Sequence, residues 1–182
     1  MAITNHLVKR VYDGFFKVDA HKLVKDGKQH ELLNFERGQS VALVLFNRNT
    51  GKYILVKQFR LASWLVDAQE EFLELIAGKI DWDETPEEAA RRECVEEVGY
   101  YPLNLSKIIS YYPSCGGSTE VVHIFAASVS SEDKIDEGGG RLDENESIIV
   151  VEMYLHEISA HIWSGGAVDS KLLIGFMPHP ER

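Results

Sequence analysis

Residues 78–99 read GKIDWDETPEEAARRECVEEVG, and the fold turns on how this stretch is parsed. Its second half has helical periodicity, with start and stop signals at both ends. Thr85 suits the N-cap with Glu88 three residues on as its capping-box partner. Pro86 suits the first helical position and Gly99 the C-terminal cap. On such a helix Ala90, Cys94 and Val98 fall at i, i+4 and i+8, an apolar stripe that can pack on a sheet. Glu93, Glu96 and Glu97 fall at i, i+3 and i+4 on another stripe. Like charges so placed repel by about 0.2–0.5 kcal/mol per pair, so three together invite a counter-ion. Hard cations such as Mg²⁺ or Mn²⁺ take oxygen ligands and hold substrate phosphates against protein carboxylates, whereas His or Cys would select softer metals. A solvated acidic face is the plainer alternative.

Working outward, GFFKVDAHKLVKDGKQHELLNF alternates like a hairpin with an Asp-Gly turn, and SVALVLFNRNTGKYILVKQFR reads as a second hairpin with Asn and Gly at its tip. ASWLVDAQEEFLELIAGKID reads as a loop followed by a short apolar strand ending near Ala77. Beyond the helix, SKIISYYPS, STEVVHIFAASVS and IIVVEMYL read as strands, and HEISAHIWSGG and DSKLLIGFM as two short helices. Between the last two strands SSEDKIDEGGGRLDENES reads as a polar loop, too acidic and glycine-rich to pack. This order implies an α/β (α+β) fold, a mixed sheet between helices, and 182 residues at 45% hydrophobic suit one such domain with embellishments.

The net charge of −10 argues against nucleic acid or an anionic membrane as partner, and an acidic protein that handles phosphates needs cations as intermediaries. No run reaches the roughly 18 apolar residues of a membrane span, and MAITNHLVKRVYDG lacks a signal-peptide core, so a cytoplasmic location is expected. Cys94 and Cys115 have no metal-type spacing and are expected as free thiols in a reducing compartment.

The spacing within the opening stretch is more specific than its composition. From Gly78, five residues lead to Glu84, seven more to Arg92-Glu93, and then come Cys94, Val95, Glu96, Glu97, Val98, Gly99 and Tyr100. This resembles the Nudix box, and a chance match to its seven fixed identities in this length is about one in a hundred thousand. Cys94 and Tyr100 stand at positions where aliphatic residues are usual. The chain is identified as a member of the Nudix hydrolases. The resemblance implies a Nudix α/β/α sandwich with a mixed β-sheet, and metal-assisted hydrolysis of a nucleoside diphosphate linked to another moiety. It also implies Glu93 and Glu97 as the main Mg²⁺ (or Mn²⁺) ligands with Glu96 close by, the carbonyl of Ala77 as a further ligand, Arg92 as the group orienting the glutamates, and Gly78 as a tight turn at the metal.

GFFKVD, FERG, KQFRLASW, LELIAGKID, CGGSTE and LDENESIIV are similar to segments of the ADP-ribose pyrophosphatase and GDP-mannose pyrophosphatase branch. Members of that branch are homodimers with exchanged N-terminal strands. The resemblance therefore implies antiparallel strands over residues 1–38, exchanged in a dimer, ahead of a Nudix domain over 39–182. It implies Arg60 as a contact to substrate phosphate, against a plain strand-end arginine, and Phe15 as a stacking face for the base, against Phe15 or Phe16 as core. Gly116 and Gly117 would line the substrate. Glu144 and Glu146 would supply a general base and a further metal contact, assigned here in that order. The implied substrate is a nucleoside diphosphate sugar, ADP-ribose first and GDP-mannose second. Ser114-Cys115-Gly116-Gly117 lacks the proline usual in ADP-ribose enzymes, and Leu32 and Leu33 replace basic residues found in some of them; GGSTEVVHIF and GGG resemble the GDP-mannose side. A nucleotide-sensing module without hydrolysis is the alternative of another class, but it has no need of the full set Arg92, Glu93, Glu96 and Glu97.

Overall fold

The computed structural model of the chain describes residues 3–141 and 147–178. It divides into two compact units.

The first unit comprises the residues up to Gln39 together with Tyr111–Val122. Strands β1 (Ile3–Asp13), β2 (Lys17–Lys25) and β3 (Lys28–Glu36) form an antiparallel sheet in the order β1-β2-β3. Asp26 and Gly27, with φ of 49° and 77°, make the two-residue turn between β2 and β3. Both positive angles match the turn that best fits strand twist, which is why Asp-Gly is found there. The Phe35 N–H donates to the Gly117 carbonyl at 2.7 Å and the Thr119 N–H to the Phe35 carbonyl at 3.3 Å, so the second segment lies along β3. Leu7 and Val8 are consecutive in β1, and Leu32 and Leu33 in β3, so each pair projects to opposite faces, yet all four are exposed.

The second unit holds the core. Its strands are β4 (Gln39–Asn47), β5 (Lys52–Gln58), β6 (Phe72–Glu74), β7 (Ile76–Lys79), β8 (Ser106–Tyr111), β9 (Val121–Val129) and β10 (Ile149–Met153). The order is β10-β5-β4-β9-β8. Strands β4 and β5 pair only near their hairpin, Leu45–Asn47 with Lys52–Ile54, and then part. The gap is filled by β6, antiparallel to Val56–Gln58, and β7, antiparallel to Ser40–Leu43. The insertion carries Ala77 and Gly78 into the middle of the sheet.

Val41–Leu45 are buried without a break, the pattern of a strand covered on both faces. The described helices are α1 (Leu61–Asp67), α2 (Pro86–Val98), α3 (Leu155–Ile162) and α4 (Ser170–Gly175), and α2 and α4 supply the cover. Val41, Leu43 and Leu45 join Ala89, Ala90, Cys94 and Val98 of α2 in one cluster with Ile54, Val56, Ile76 and Phe125. On the other face α4 comes close enough that a Cβ on Gly175 would lie 2.9 Å from both Val44 Cγ2 and Leu75 Cδ1. The expected Nudix α/β/α sandwich is the fold observed, and the apolar stripe of α2 packs as its spacing implied.

Two local expectations are corrected. The segment after β5 is not a loop throughout, because Leu61–Asp67 forms α1, none of whose residues is buried. Its sequence LASWLVD has only Ser63 and Asp67 as polar residues, and seven residues are too few for an amphipathic period to stand out. The run before β10 does pack, up to Arg141. Ser131–Asp133 form a 3₁₀ turn, and Gly138, Gly139 and Gly140, all at positive φ, lie against the end of α2. The N–H groups of Gly139 and Gly140 donate to the Glu97 and Glu96 carbonyls at 2.9 and 3.0 Å, and those of Ile135 and Asp136 to the Gly99 carbonyl. At Gly138 glycine is needed for lack of room as well as for its positive φ, because a Cβ there would sit 2.7 Å from Val98 Cα. Among the described residues no helix is long and apolar enough to cross a membrane.

Candidate active site

The site is built on β7, the turn after it, and α2. Helix α2 starts as its sequence requires: Thr85 Oγ1 accepts from the Glu88 N–H at 3.2 Å, and Glu88 returns the bond to the Thr85 N–H at 2.8 Å. It ends at Gly99, whose φ of 80° places its N–H on the Val95 carbonyl at 2.9 Å. Fixed at both ends, the helix presents Glu93, Glu96 and Glu97 from its last two turns beside β7.

Gly78 and Glu93 share one volume. A Cβ on Gly78 would lie 1.8 Å from Glu93 Oε1 and 1.9 Å from its Cδ. Gly78 is therefore glycine because the Glu93 carboxylate occupies the place of a side chain; it lies within β7, paired with Val41, and not in the tight turn expected there. One residue earlier, the Ala77 N–H donates to Glu97 Oε2 at 3.1 Å. Glu97 is 2% exposed, so its carboxylate is fixed against β7 inside the protein.

Arg92 ties the rest together. Its Nε and Nη2 donate to the two oxygens of Glu84, both at 2.9 Å, a bidentate pair. Nη1 donates to Glu93 at 2.7 Å and to Glu96 at 3.1 Å, and Nη2 also reaches the Lys79 carbonyl at 2.8 Å. The arginine thus bonds two of the three glutamates, and Glu84 holds the arginine. The hydrogen bonds to Glu84 raise the Arg92 pKa despite partial burial, and the same bonds hold the Glu84 carboxyl below its ordinary value. The function of Glu84 is visible only in three dimensions, because eight residues separate it from its partner.

The glutamates are not an open comb. Two are held by Arg92 and one lies against the Ala77 N–H, and among the described residues no three acids, histidines or cysteines form a ready ligand set. Their chemistry nonetheless fits a hard divalent cation: the donors are carboxylates and backbone carbonyls, with no imidazole or thiolate among them. Gly78 leaves the space in which Glu93 stands, and Glu97 is an acid in a place where its anion needs a cation or hydrogen bonds. Cys94 lies behind them, buried, its thiol pKa pushed up by burial and by the charge of Glu97. It is core, and Cys115 is an exposed free thiol.

The remaining candidates fall in both units. Arg60, just after β5, is clamped by Glu74, with Nε at 3.1 Å and Nη2 at 2.7 Å from the carboxylate. It is not a loose strand-end arginine. Phe15 is 91% exposed, so it is not core; Phe16 packs on Phe35 at 5.1 Å between ring centroids and lies under the Arg37 guanidinium. Gly116 and Gly117 sit in an exposed turn with no atom within 4 Å of where their Cβ atoms would be. Glu144 and Glu146 lie outside the described residues.

Residues 36–169 match the NUDIX domain family. The chain belongs to the Nudix hydrolase family. It is 36% identical over 153 residues to the GDP-mannose pyrophosphatase of Cronobacter sakazakii, covering 82% of this chain and 78% of that protein. It is 35% identical over 147 residues to the GDP-mannose pyrophosphatase of Citrobacter koseri, covering 80% and 75%. With that of Shigella flexneri serotype 5b the identity is 33% over 153 residues, covering 82% and 78%. As a Nudix hydrolase it keeps the whole box, Gly78, Glu84, Arg92, Glu93, Glu96, Glu97 and Gly99, in one connected arrangement of strand, turn, helix and cap.

Proposed function

We propose that this Nudix hydrolase splits a nucleoside diphosphate sugar between its two phosphates, giving a nucleoside monophosphate and a sugar phosphate. The observation that carries the reading is the Arg92-organised group of Glu93 and Glu96, with Glu97 fixed beside Ala77. Mg²⁺ or Mn²⁺ would be held by the Ala77 carbonyl, Glu93, Glu96 and Glu97, with Glu146 as a further ligand. Such a cation supplies neutralisation of the diphosphate charge and activation of water. Arg92 keeps the carboxylates in register, Arg60 binds the diphosphate, and Phe15 stacks on the base. Gly116 and Gly117 let the substrate approach the main chain. Glu144 takes the proton of the attacking water as the bridging P–O bond breaks.

The similarity to GDP-mannose pyrophosphatases supports GDP-mannose as the substrate. ADP-ribose is the second reading, favoured by the segments of its branch found along the chain. The protein acts as a homodimer in this account, residues 1–38 completing the partner's site; the uncovered Leu and Val pairs on both faces of the first sheet suit burial against a second copy. A cytoplasmic setting suits the two free cysteines.

A panel of nucleoside diphosphate sugars, with and without Mg²⁺, scored for monophosphate release, tests the proposal. The highest kcat/KM is expected on GDP-mannose, with loss of turnover on chelation. Binding without release on every member would favour the sensing module, and turnover indifferent to chelation would refute the cation's part.

A further inference from the structure

Apart from the carboxylates of α2, the second unit buries another charge cluster. Glu74, at the end of β6, is 3% exposed. Its carboxylate accepts from Arg60 Nε and Nη2 and from Gln58 Nε2 at 3.0 Å, and Lys171 Nζ stands 4.0 Å away. Lys171 in turn donates to Asp169 at 2.8 Å, and Asp169 caps α4 by accepting from the Leu172 N–H at 3.1 Å. Two acids and two bases therefore balance, and the chain of contacts ties Arg60 to the first turn of the C-terminal helix.

We propose that Glu74 is a positioning residue for the reaction: it clamps the Nε–Nη2 side of Arg60, leaving the Nη1 end of the guanidinium to meet the substrate's diphosphate. The inference rests on the reading of Arg60 given above. Three observations support it. An arginine fork has two usable edges, and Glu74 occupies one; among the described residues Nη1 makes no hydrogen bond, while the side chain is 43% exposed. The charge of Glu97 also favours the charged form of Arg60. Burial disfavours the charged form of Arg60, and the surrounding acids, Glu74 foremost, more than offset this. Finally, a buried ion pair is a poor way to gain stability, since desolvation consumes most of the attraction. What it does supply is a fixed direction for a side chain that otherwise has four free torsions, and a phosphate ligand gains from that preorganisation.

The test is a double-mutant cycle in the full-length protein, with GDP-mannose and ADP-ribose as probes and kcat and KM measured separately. R60A is expected to raise KM about 10- to 100-fold. E74Q, which keeps the shape and removes the charge, is expected to raise KM about tenfold with kcat within about twofold of wild type. The pair R60A/E74Q is expected to be no worse than R60A alone, because Glu74 acts through Arg60. Should E74Q fail to fold, E74D replaces it: the charge stays, the carboxylate retreats by one methylene, and KM rises several-fold beside Arg60 but not in R60A. A Glu74 that only stabilises the fold would lower Tm and multiply with R60A, and that result overturns the proposal. So does a wild-type KM in the Glu74 variant while R60A is impaired. A wild-type KM in R60A itself removes the Arg60 reading, and the positioning role with it.

Discussion

Replacing Gly78 by alanine separates the cost of the site from the cost of the fold. The added Cβ would stand 1.8–2.3 Å from the three carboxylate atoms of Glu93, whereas ordinary contact begins at 3.4 Å. The carboxylate must withdraw by roughly 1.5 Å to reach a normal separation, and its 2.7 Å bond to Arg92 cannot survive that move. The fold loses little. Gly78 has no positive φ to relieve, the displaced atoms end a flexible side chain, and Arg92 keeps Glu84, Glu96 and the Lys79 carbonyl. One charge-assisted hydrogen bond is worth about 1–2 kcal/mol, which for a chain of this size is a fall in Tm of only a few degrees. Activity is another matter, because a misplacement of about 1 Å in a positioned group can cost about a hundredfold. G78A is therefore expected to fold, to lose about two orders of magnitude in kcat/KM, and to bind Mn²⁺ more weakly in a titration followed by electron paramagnetic resonance. A variant with wild-type turnover and wild-type Mn²⁺ affinity would refute the steric account of this glycine.

Gly138→Ala should do the reverse: positive φ and a 2.7 Å approach to the Val98 main chain cost about 2 kcal/mol or more, read as a drop in Tm of about 5 °C or more. An unchanged melting curve would mean that the strap is not docked on α2. Glu97→Gln keeps an acceptor for the Ala77 N–H but removes the charge, so Mg²⁺-dependent turnover is expected to fall by orders of magnitude with the far-ultraviolet spectrum unchanged; near-normal activity would remove Glu97 from the metal set. The Glu84 carboxyl is held below its unfolded value by Arg92, so its stabilisation is complete above the ordinary carboxylate range and disappears as pH falls through the folded-state value. The Tm gap between wild type and Glu84→Gln should accordingly narrow on acidification, and a gap constant with pH would contradict the pairing.

What could be read along the chain was what neighbours in sequence decide. The capping box at Thr85 and Glu88, the stop at Gly99 and the Asp26-Gly27 turn each rest on atoms within four residues of one another, so local chemistry spells them out. The hairpin around Asn47–Lys52 is legible in the same way, from the Asn and Gly at its tip. Helix α1 is not legible because seven residues, with only Ser63 and Asp67 polar, are too few to show a period, and none of them is buried to impose one. The strap at Gly138–Gly140 is not legible in composition, which describes a segment's own preferences, whereas its packing is decided by the carbonyls of Glu96 and Glu97 that need donors at the helix end.

The site divides along the same line. Spacing on a helix places Glu93, Glu96 and Glu97 together, but it says nothing of what holds each of them. Arg92 and Glu84 are eight residues apart, Glu97 and the Ala77 N–H twenty, and Lys171 lies far along the chain from the Glu74 it neighbours. Each such partner satisfies a charge that the helix would otherwise present unpaired, and burial makes the partner obligatory. The box positions that look like separate identities, Gly78 with Glu93 and Glu84 with Arg92, are thus two contacts written as four letters. A substitution at either member should be rescued, where it can be rescued at all, by a change at the other: an alanine at 78 is expected to be least harmful when residue 93 is shortened to aspartate, whose carboxylate stops one methylene nearer the helix.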